Sequence, residues 1–169
     1  MDLLDPAKTD ETCMRLAMRQ AMAAGERGEV PVGAVVWYQG AVIARAGNQV
    51  EMLKDATAHA EMIVLTQAAA HIGDWRLTEA TLYVTKEPCA MCAGGMVNAR
   101  LGRLVYGCVD PRMGAAGGAL DITSFPGMLH RVDVEAGLLE EECRALLQAF
   151  FQRRRQEQKE GKARGETSE

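Results

Sequence analysis

The stretch TLYVTKEPCAMC, residues 81–92, decides the fold because it joins a strand directly to a helix. Its first five residues are β-branched, aliphatic or aromatic, which is typical of a short buried strand over residues 81–85. Glu87 and Pro88 interrupt that pattern, and a helix is expected to begin at Cys89. Strands that alternate with helices in this way favour a sheet with parallel strands.

The sequence on both sides of this stretch predicts further strands and helices in alternation. Two apolar runs separated by Gln39 and Gly40 predict a β-hairpin. The expected elements are helices over residues 9–24, 58–71 and 138–155, hairpin strands over 32–38 and 41–46, and strands over 104–106 and 132–134. This order favours one α/β domain over residues 1–155. Its expected fold is a three-layer α/β/α sandwich with a mixed central sheet of about five strands, parallel in its second half.

The composition is that of a soluble globular protein with one core. Of the 169 residues, 48% are hydrophobic and 25% are charged, which excludes a mainly disordered or disulfide-stapled chain. The longest uncharged apolar run, residues 30–38, is far below the ~18 residues that a membrane span needs. No secretory signal is visible, so we expect a cytoplasmic protein without membrane association. Cys13, Cys108 and Cys143 are scattered and are expected to be small buried residues.

The charge is unevenly distributed along the chain. The net charge is −4, yet residues 150–164 contain six basic side chains and two acidic ones. A basic segment of this kind is compatible with a ligand that carries phosphate groups. From about residue 156 the sequence is polar and lacks large apolar side chains, so residues 156–169 are expected to form a disordered tail.

Three side chains have the chemistry and spacing of a zinc site. His59, Cys89 and Cys92 offer one imidazole and two thiolates, which are ligands that Zn²⁺ prefers. His59 and Cys89 are expected at the starts of helices, where free N–H groups and the helix dipole favour a thiolate. The sequence has no second Cys-x-x-Cys or Cys-x-x-His to supply a fourth ligand. One coordination position therefore stays open for water, as in catalytic zinc sites.

Glu61 follows His59 by two residues and is the expected proton carrier. Zinc lowers the pKa of a bound water molecule, but a nearby carboxylate must still move the proton to a leaving group. This combination indicates hydrolytic deamination, in which water adds to an amidine-like carbon and ammonia leaves. A Cys-x-x-Cys pair alone is also compatible with a redox site or a structural zinc site. Neither of these explains both His59 and Glu61.

Several motifs beyond these residues are shared with a known family. They are EVPVGAV (29–35), GN (47–48), TAHAE (57–61), TLYVT (81–85), EPCAMCAG (87–94), DPRMGAAG (110–117) and the pair FF (150–151). From about residue 12 to residue 155, the chain resembles the cytidine/deoxycytidylate deaminase superfamily and, more closely, the bacterial tRNA-specific adenosine deaminases. It differs from the usual pattern of the tRNA enzymes at Gly118, where serine is common, and at Gln152, where arginine is common.

The resemblance implies a reaction and a role for each motif residue. It implies one Zn²⁺ per subunit, with His59, Cys89 and Cys92 as ligands and Glu61 as proton shuttle. It also places Asn48 against a flipped base and Asp110 in a loop that faces the anticodon. The implied reaction is the deamination of the wobble adenosine to inosine in a tRNA anticodon loop, of the tRNA-Arg type.

The RNA contacts are expected at the end of the closing helix. Phe151 is better suited than Phe150 to stack on a base, because Phe150 is expected in the core. Arg153, Arg154 and Arg155 form the densest basic run and are expected to contact the anticodon stem-loop.

A homodimer is expected because the family typically forms one. The helix that begins at Cys89 is the expected contact, since it carries small or adaptable residues that allow close packing. These residues are Met91, Ala93, Gly94, Gly95 and Met96.

Two other functions fit the same motifs. The chain is also compatible with a deaminase of a free base or nucleotide, such as guanine or cytosine, because the zinc motifs are common to the superfamily. A non-catalytic, zinc-stabilised RNA-binding module is the other alternative. Ammonia release distinguishes the enzymes from the module, and a comparison of free bases with anticodon stem-loop RNA distinguishes the two enzymes.

Overall fold

The computed structural model describes residues 6–165 and contains the strands and helices that the hydrophobic pattern predicts, with one addition. The elements are α1 (Pro6–Glu26), β1 (Gly33–Tyr38), β2 (Ala41–Gly47), α2 (Val50–Leu53), α3 (Ala60–Ile72), β3 (Thr81–Lys86), α4 (Ala90–Asn98), β4 (Arg103–Cys108), β5 (Asp133–Ala136) and α5 (Glu140–Gly165). The addition is the short helix α2, in the polar segment that follows the hairpin.

The five strands form one mixed sheet in the order β2-β1-β3-β4-β5. Strand β1 is antiparallel to both β2 and β3, whereas β3, β4 and β5 run parallel to one another. In the centre of the sheet, Tyr83 of β3 lies opposite Val35 of β1 and Val105 of β4. The prediction of a mixed sheet that is parallel in its second half is confirmed.

Alternate side chains of the central strands enter two different cores. Val35, Tyr83 and Val105 pack with Met14 of α1 and Cys143 of α5 on one face. The cysteines Cys13, Cys108 and Cys143 are all buried in this layer, as the sequence predicts. This face is therefore covered by α1 and α5.

The second core lies on the opposite face, where Leu82 and Leu104 pack with Val64 of α3 and Met96 of α4. Because side chains alternate along a strand, the two cores together use every position of β3 from Leu82 to Val84. The three-layer α/β/α sandwich is confirmed, with α3 and α4 beginning on the same side of the sheet.

Two glycines let α1 approach the first hairpin closely. A Cβ on Gly33 would lie 2.0 Å from the carbonyl oxygen of Ala17, and one on Gly47 would lie 2.6 Å from that of Gln20. Any larger residue would push the helix away from the sheet. This close contact fixes the start of β1 and the end of β2. The segments next to these two points form part of the cavity wall described below.

Helix α2 has its start fixed by a buried glutamate. The carboxylate of Glu29 is 2% exposed and accepts hydrogen bonds from the backbone N–H groups of Glu51 and Met52. The first N–H groups of a helix have no partner within the helix, so this carboxylate satisfies them. Glu29 therefore holds the segment after Asn48 against the segment before β1.

Helix α5 is longer than predicted, because it continues to Gly165 rather than ending at residue 155. Residues 156–165, expected to be disordered, are therefore helical, while the last part of that expected tail, 166–169, lies outside the described residues. The extension consists mostly of residues with high helix propensity, and Gln156 donates a hydrogen bond to Glu160 one turn later. None of the described helices is long and apolar enough to cross a membrane.

An ion pair fastens α1 to the start of β4. Arg103 donates to both oxygens of Asp10, at 2.9 and 2.7 Å, and also pairs with Glu135. The hydroxyl of Tyr83 donates to the same carboxylate. The hydrogen bonds from Arg103, above all, hold the pKa of Asp10 below its usual value.

We expect Asp10→Asn to lower the free energy of unfolding at about pH 7 by about 1–2 kcal/mol, because it weakens this half-buried pair. A carboxyl group whose pKa is lower in the folded state stabilises above its unfolded pKa, and that stability is lost as the pH falls through the folded pKa. The difference in the free energy of unfolding between wild type and variant therefore narrows below about pH 4. Urea unfolding at several pH values measures this difference and its dependence on pH.

Glu11→Gln is the matched control, because Glu11 forms an exposed ion pair with Arg15 on the same helix. It should change stability by no more than about 0.5 kcal/mol. An Asp10→Asn variant as stable as wild type, or a difference that does not vary with pH, contradicts this account of the ion pair.

Candidate active site

Two helices begin next to each other with metal-ligating residues at their starts. His59 is the N-cap residue of α3, and Cys89 is the N-cap residue of α4. Neither side chain caps its own helix, so both are available for other contacts. Because α3 and α4 pack on the same face of the sheet, their starts meet at the edge where β3 ends.

The imidazole of His59 faces both thiols of α4. Its Nδ1 atom lies 3.5 Å from Sγ of Cys92 and 3.7 Å from Sγ of Cys89. The three donor atoms lie within 4.8 Å of one another, and no other group of this kind is found among residues 6–165. The structure thus brings together the three predicted ligands as a group that could hold a metal.

The three potential ligands hold their protons unequally. Hydrogen bonds with Cys92 and His59 lower the pKa of the Cys89 thiol to about 3. The same contact raises the pKa of Cys92, because a second thiolate beside the first is unfavourable. The hydrogen bond with Cys89 also raises the pKa of His59. The Cys89 thiolate could therefore ligate a metal directly, whereas Cys92 and His59 would each release a proton on binding one.

Glu61 lies in the first turn of α3 and is buried beside this group, with 4% of its surface exposed. Its Oε2 atom has no hydrogen-bond partner in the described part of the chain. Burial raises the pKa of this carboxyl group. A buried oxygen without a partner is costly, so its position suits a bound water molecule or ligand that completes the site.

A cavity of about 480 Å³ opens beside these residues. His59, Glu61 and Cys89 lie on its wall together with Asn48. The rest of the wall comes from the segment before β1, the start of α2, the end of β3 and one face of α5. A cavity of this size accommodates one small organic ligand.

Asn48, the predicted base-binding residue, is buried at this wall. Its Oδ1 atom accepts a hydrogen bond of 2.9 Å from the backbone N–H of Ala60 at the start of α3. The oxygen is therefore used by the protein itself, and the side-chain amide N–H groups remain as donors for a ligand.

Asp110 is engaged by its own chain and is absent from the cavity wall. Its Oδ1 atom accepts hydrogen bonds from the backbone N–H groups of Arg112 and Met113, and its Oδ2 atom accepts one from the ammonium group of Lys86. Burial by itself would raise the pKa of Asp110, but these hydrogen bonds outweigh it and hold the pKa below its usual value. Its carboxylate is thus occupied on both oxygens.

Glu87 fixes the loop that follows Asp110, a role that the sequence did not reveal. Its buried carboxylate accepts hydrogen bonds from the backbone N–H groups of Asp110, Ala116 and Gly118. A Cβ on Gly114 or Gly118 would come within 2.3 Å of this carboxylate. Glycine at position 118 therefore matches the tight packing around Glu87.

Helix α5 contributes an aromatic and a basic side chain to the cavity wall. Phe151, Arg154 and Gln158 line it, as does the buried Phe150. Arg153 is not part of the wall: its Nη2 atom donates to the carbonyl oxygen of Gly25, at 3.4 Å. Of the predicted RNA-contacting residues, the structure brings Phe151 and Arg154 to the cavity and turns Arg153 towards α1.

Two further residues on the wall were missed from sequence. Lys86 is the last residue of β3, and Gln158 lies two turns after Phe150 on α5. Position 86 precedes Glu87 and Pro88 directly, so its closeness to the ligand group was an available signal. Gln158 lies in the segment that the sequence predicts to be disordered, so the sequence gives no reason to expect it at the cavity.

Comparisons with known proteins agree with this site. A family model for MafB19-like deaminases matches residues 8–155. The chain is 45% identical over 150 residues to the tRNA-specific adenosine deaminase of Bacillus subtilis (strain 168), which covers 89% of this chain and 93% of that protein.

Solved structures give the same result. A structure from a study of A-to-I editing by tRNA:A34 deaminases at the wobble position of transfer RNA matches with a TM-score of 0.78 and 47% identity. That match covers 80% of this chain and 99% of the other. The guanine deaminase from Nitrosomonas europaea matches with a TM-score of 0.71 and 24% identity over 83% of each chain, which shows the shared fold alone. From the identity and coverage of these matches, the chain belongs to the family of tRNA-specific adenosine deaminases.

Proposed function

We propose that this chain is a zinc-dependent hydrolase that converts the wobble adenosine of a tRNA anticodon loop to inosine. The observation that carries the proposal is the Oε2 atom of Glu61. It is a buried oxygen without a partner in the described residues, and it lies beside the predicted metal ligands at an open cavity. We further propose that the enzyme acts in the cytoplasm.

The donor distances support zinc as the metal. A tetrahedral ion with Zn–S bonds of about 2.3 Å and Zn–N bonds of about 2.0 Å separates sulfur from nitrogen by roughly 3.5 Å. The corresponding distances from Nδ1 of His59 are 3.5 Å to Cys92 and 3.7 Å to Cys89. We assign one zinc per subunit to these three residues, with a fourth position open. Zinc bound there supplies a water molecule of lowered pKa.

Glu61 transfers the protons in this proposal. Deamination of adenine adds water at C6 and releases the exocyclic amine as ammonia. The Glu61 carboxylate would accept a proton from the attacking water and pass it to ring nitrogen N1, and would then carry the remaining hydroxyl proton to the amine. The amine leaves as ammonia, and the product keeps a C6=O bond and a proton on N1. The raised pKa of Glu61 suits this role, because the group must hold a proton between the two steps.

The cavity suits one nucleoside that has left its stack. An adenosine in a stacked loop cannot reach a metal held at the start of α3, so the base must turn out into the cavity. The amide of Asn48 would then donate a hydrogen bond to a ring nitrogen, with its orientation fixed by the contact between Oδ1 and Ala60. Phe151 offers an aromatic face and Arg154 a cation to the flanking nucleotides.

The two alternatives are less well supported. A free base would leave the wall formed by Phe151, Arg154 and Gln158 without a purpose, because that wall extends beyond the ligand group. A non-catalytic module would gain nothing from a buried Glu61 oxygen without a partner. We further propose residues 1–155 as the catalytic domain, with the remainder of α5 as an extension of its RNA-facing helix.

We expect Glu61→Gln to reduce kcat on anticodon stem-loop RNA by at least ~10²–10⁴-fold, because positioned acid–base chemistry is removed. Zinc content and melting temperature should stay unchanged, since the side chain is not a ligand. Inosine formation and ammonia release measure kcat, elemental analysis measures the zinc content, and thermal unfolding measures the melting temperature. The wild type assayed on stem-loop RNA, guanine and cytosine provides the comparison.

Turnover of guanine or cytosine without turnover of the stem-loop would establish the free-base alternative. Absence of ammonia from every substrate would leave the RNA-binding module. Loss of zinc from Glu61→Gln would make Glu61 a ligand and contradict the proposed proton transfer.

Arg154→Glu should raise KM for the stem-loop by about 10-fold or more, because a charge contact at the cavity wall becomes repulsive. Arg153→Glu should have the smaller effect, since Arg153 faces Gly25. Arg144→Glu, at an exposed ion pair in the first turns of α5, serves as the control. Equal KM values for the Arg154 and Arg144 variants would remove Arg154 from the proposed interface.

A homodimer through α4 is the remaining part of the proposal. Ala93 and Met96 of the expected contact are fully buried within one subunit, so only Met91, Gly94 and Gly95 are left on the outer face. Trp75, which is 51% exposed, lies next to Gly95 along a shallow groove. A small-residue face beside an exposed tryptophan favours close packing with a second copy.

Gly94→Leu tests this contact without disturbing the subunit. A Cβ at Gly94 meets nothing within 4 Å in the subunit, so folding should be unaffected. Light scattering should give the mass of a dimer for wild type and that of a single chain, 18.3 kDa, for the variant. A wild type that scatters as a single chain at micromolar concentration contradicts the dimer.

A further inference from the structure

We infer that the ammonium group of Lys86 is a phosphate-binding group of this site, and that Asp110 is the residue that positions it. The inference rests on the proposed function, because it concerns the RNA backbone on either side of the deaminated nucleoside. It assigns to Lys86 the charge contact, and to Asp110 a supporting role in place of the direct RNA contact expected from sequence.

Lys86 is placed between the ligand group and the outside. It is the last residue of β3, three positions before Cys89, and it lies on the cavity wall. Its side chain is 29% exposed, so the ammonium group can reach a ligand without leaving its place. Asp110 is its one hydrogen-bond partner in the described part of the chain, and two of its three N–H donors are thus available to a ligand.

Asp110 is suited to hold Lys86 and unsuited to bind RNA itself. Both of its oxygens accept hydrogen bonds from this chain, and its side chain is only 14% exposed. The backbone N–H of Asp110 is in turn bound by Glu87, the neighbour of Lys86. Lys86, the last residue of β3, therefore fixes the side chain of Asp110, and Glu87, which follows it, fixes the backbone, so the pair is rigid before any ligand binds.

The cations of the wall are suited to phosphate, although the wall also contains four glutamates. The carboxylates of Glu29 and Glu87 accept backbone N–H groups, Glu51 forms an ion pair with Lys54, and Glu61 lies beside the predicted metal ligands. The wall also presents two permanent cations, Lys86 from β3 and Arg154 from α5. A nucleotide turned into the cavity carries one phosphate on each side, and a compact ammonium is a suitable partner for one of them.

The experiment measures KM and kcat on anticodon stem-loop RNA at several salt concentrations between about 50 and 200 mM. The variants are Lys86→Met, Lys86→Arg, Asp110→Asn and, as a control, Arg15→Met, which removes an ion-paired cation from the outer face of α1. Each protein is also assayed on two RNAs that carry an uncharged methylphosphonate on the 5′ or the 3′ side of the target adenosine. Melting temperatures confirm folding, and Lys86→Gln replaces Lys86→Met if the latter melts early.

Lys86→Met should raise KM about 10-fold, with kcat changed less than about threefold. The negative slope of log(kcat/KM) against log[salt] should become shallower by about 0.7–0.9, because one phosphate contact is lost. Lys86→Arg should keep the wild-type slope. Asp110→Asn should raise KM but also keep the slope, because the cation is still present. One of the two methylphosphonate RNAs should have a higher KM than the unmodified RNA with wild type but not with Lys86→Met. The variant has already lost the contact between the ammonium group and that phosphate.

Two results would overturn the inference and leave Lys86 as a purely structural partner of Asp110. One is a Lys86→Met variant with the wild-type salt slope. The other is a variant in which each methylphosphonate RNA lowers kcat/KM by the same factor as in wild type. Neither result affects the proposed function, which depends on whether the wild type converts the unmodified stem-loop. A wild type inactive on every stem-loop would remove the proposed function and the inference with it.

Discussion

The meeting of two helix starts at the end of β3 is the arrangement on which the rest of the site depends. Helix α3 begins after His59 and α4 after Cys89, and both pack against the same face of the sheet. This arrangement brings Cys92 and His59 to Cys89, and their hydrogen bonds lower the pKa of the Cys89 thiol. Since both helices are anchored in one core, the distances between the donors are set by packing rather than by flexible loops. A metal would bind to a group that the fold has already assembled.

Three buried glutamates around the cavity show how the protein separates support from chemistry. Glu29 accepts two backbone N–H groups at the start of α2, and Glu87 accepts three from the loop after Asp110. Both are therefore saturated and act as braces for the segments that wall the cavity. Glu61 differs because one of its oxygens has no partner in the described residues. A glutamate whose carboxylate accepts backbone N–H groups therefore has a structural role here. A glutamate with an oxygen that has no such partner is available for proton transfer.

Much of this architecture follows from the sequence, because hydrophobic periodicity and ligand spacing are local signals. The strand over 81–85, the helix starts at His59 and Cys89, and the grouping of Cys92 with them were all predicted and are found. The missed features depend on contacts between distant segments. Nothing local to Glu87 reveals that its carboxylate binds the loop 110–118, and nothing local to Arg153 reveals that it faces Gly25. The polar composition of residues 156–165 predicts disorder, but these residues also have high helix propensity and continue α5.

The central claim is that a three-ligand metal centre with an open position lies beside Glu61. X-ray absorption at the zinc edge of the purified, active protein tests it most directly. We expect one zinc per chain with two sulfur neighbours at about 2.3 Å and two lighter neighbours at about 2.0 Å, one nitrogen and one solvent oxygen. Replacement of His59 by alanine should alter the lighter shell. A spectrum with three or four sulfur neighbours, or one unchanged by that replacement, would indicate a closed or different site and would contradict the account.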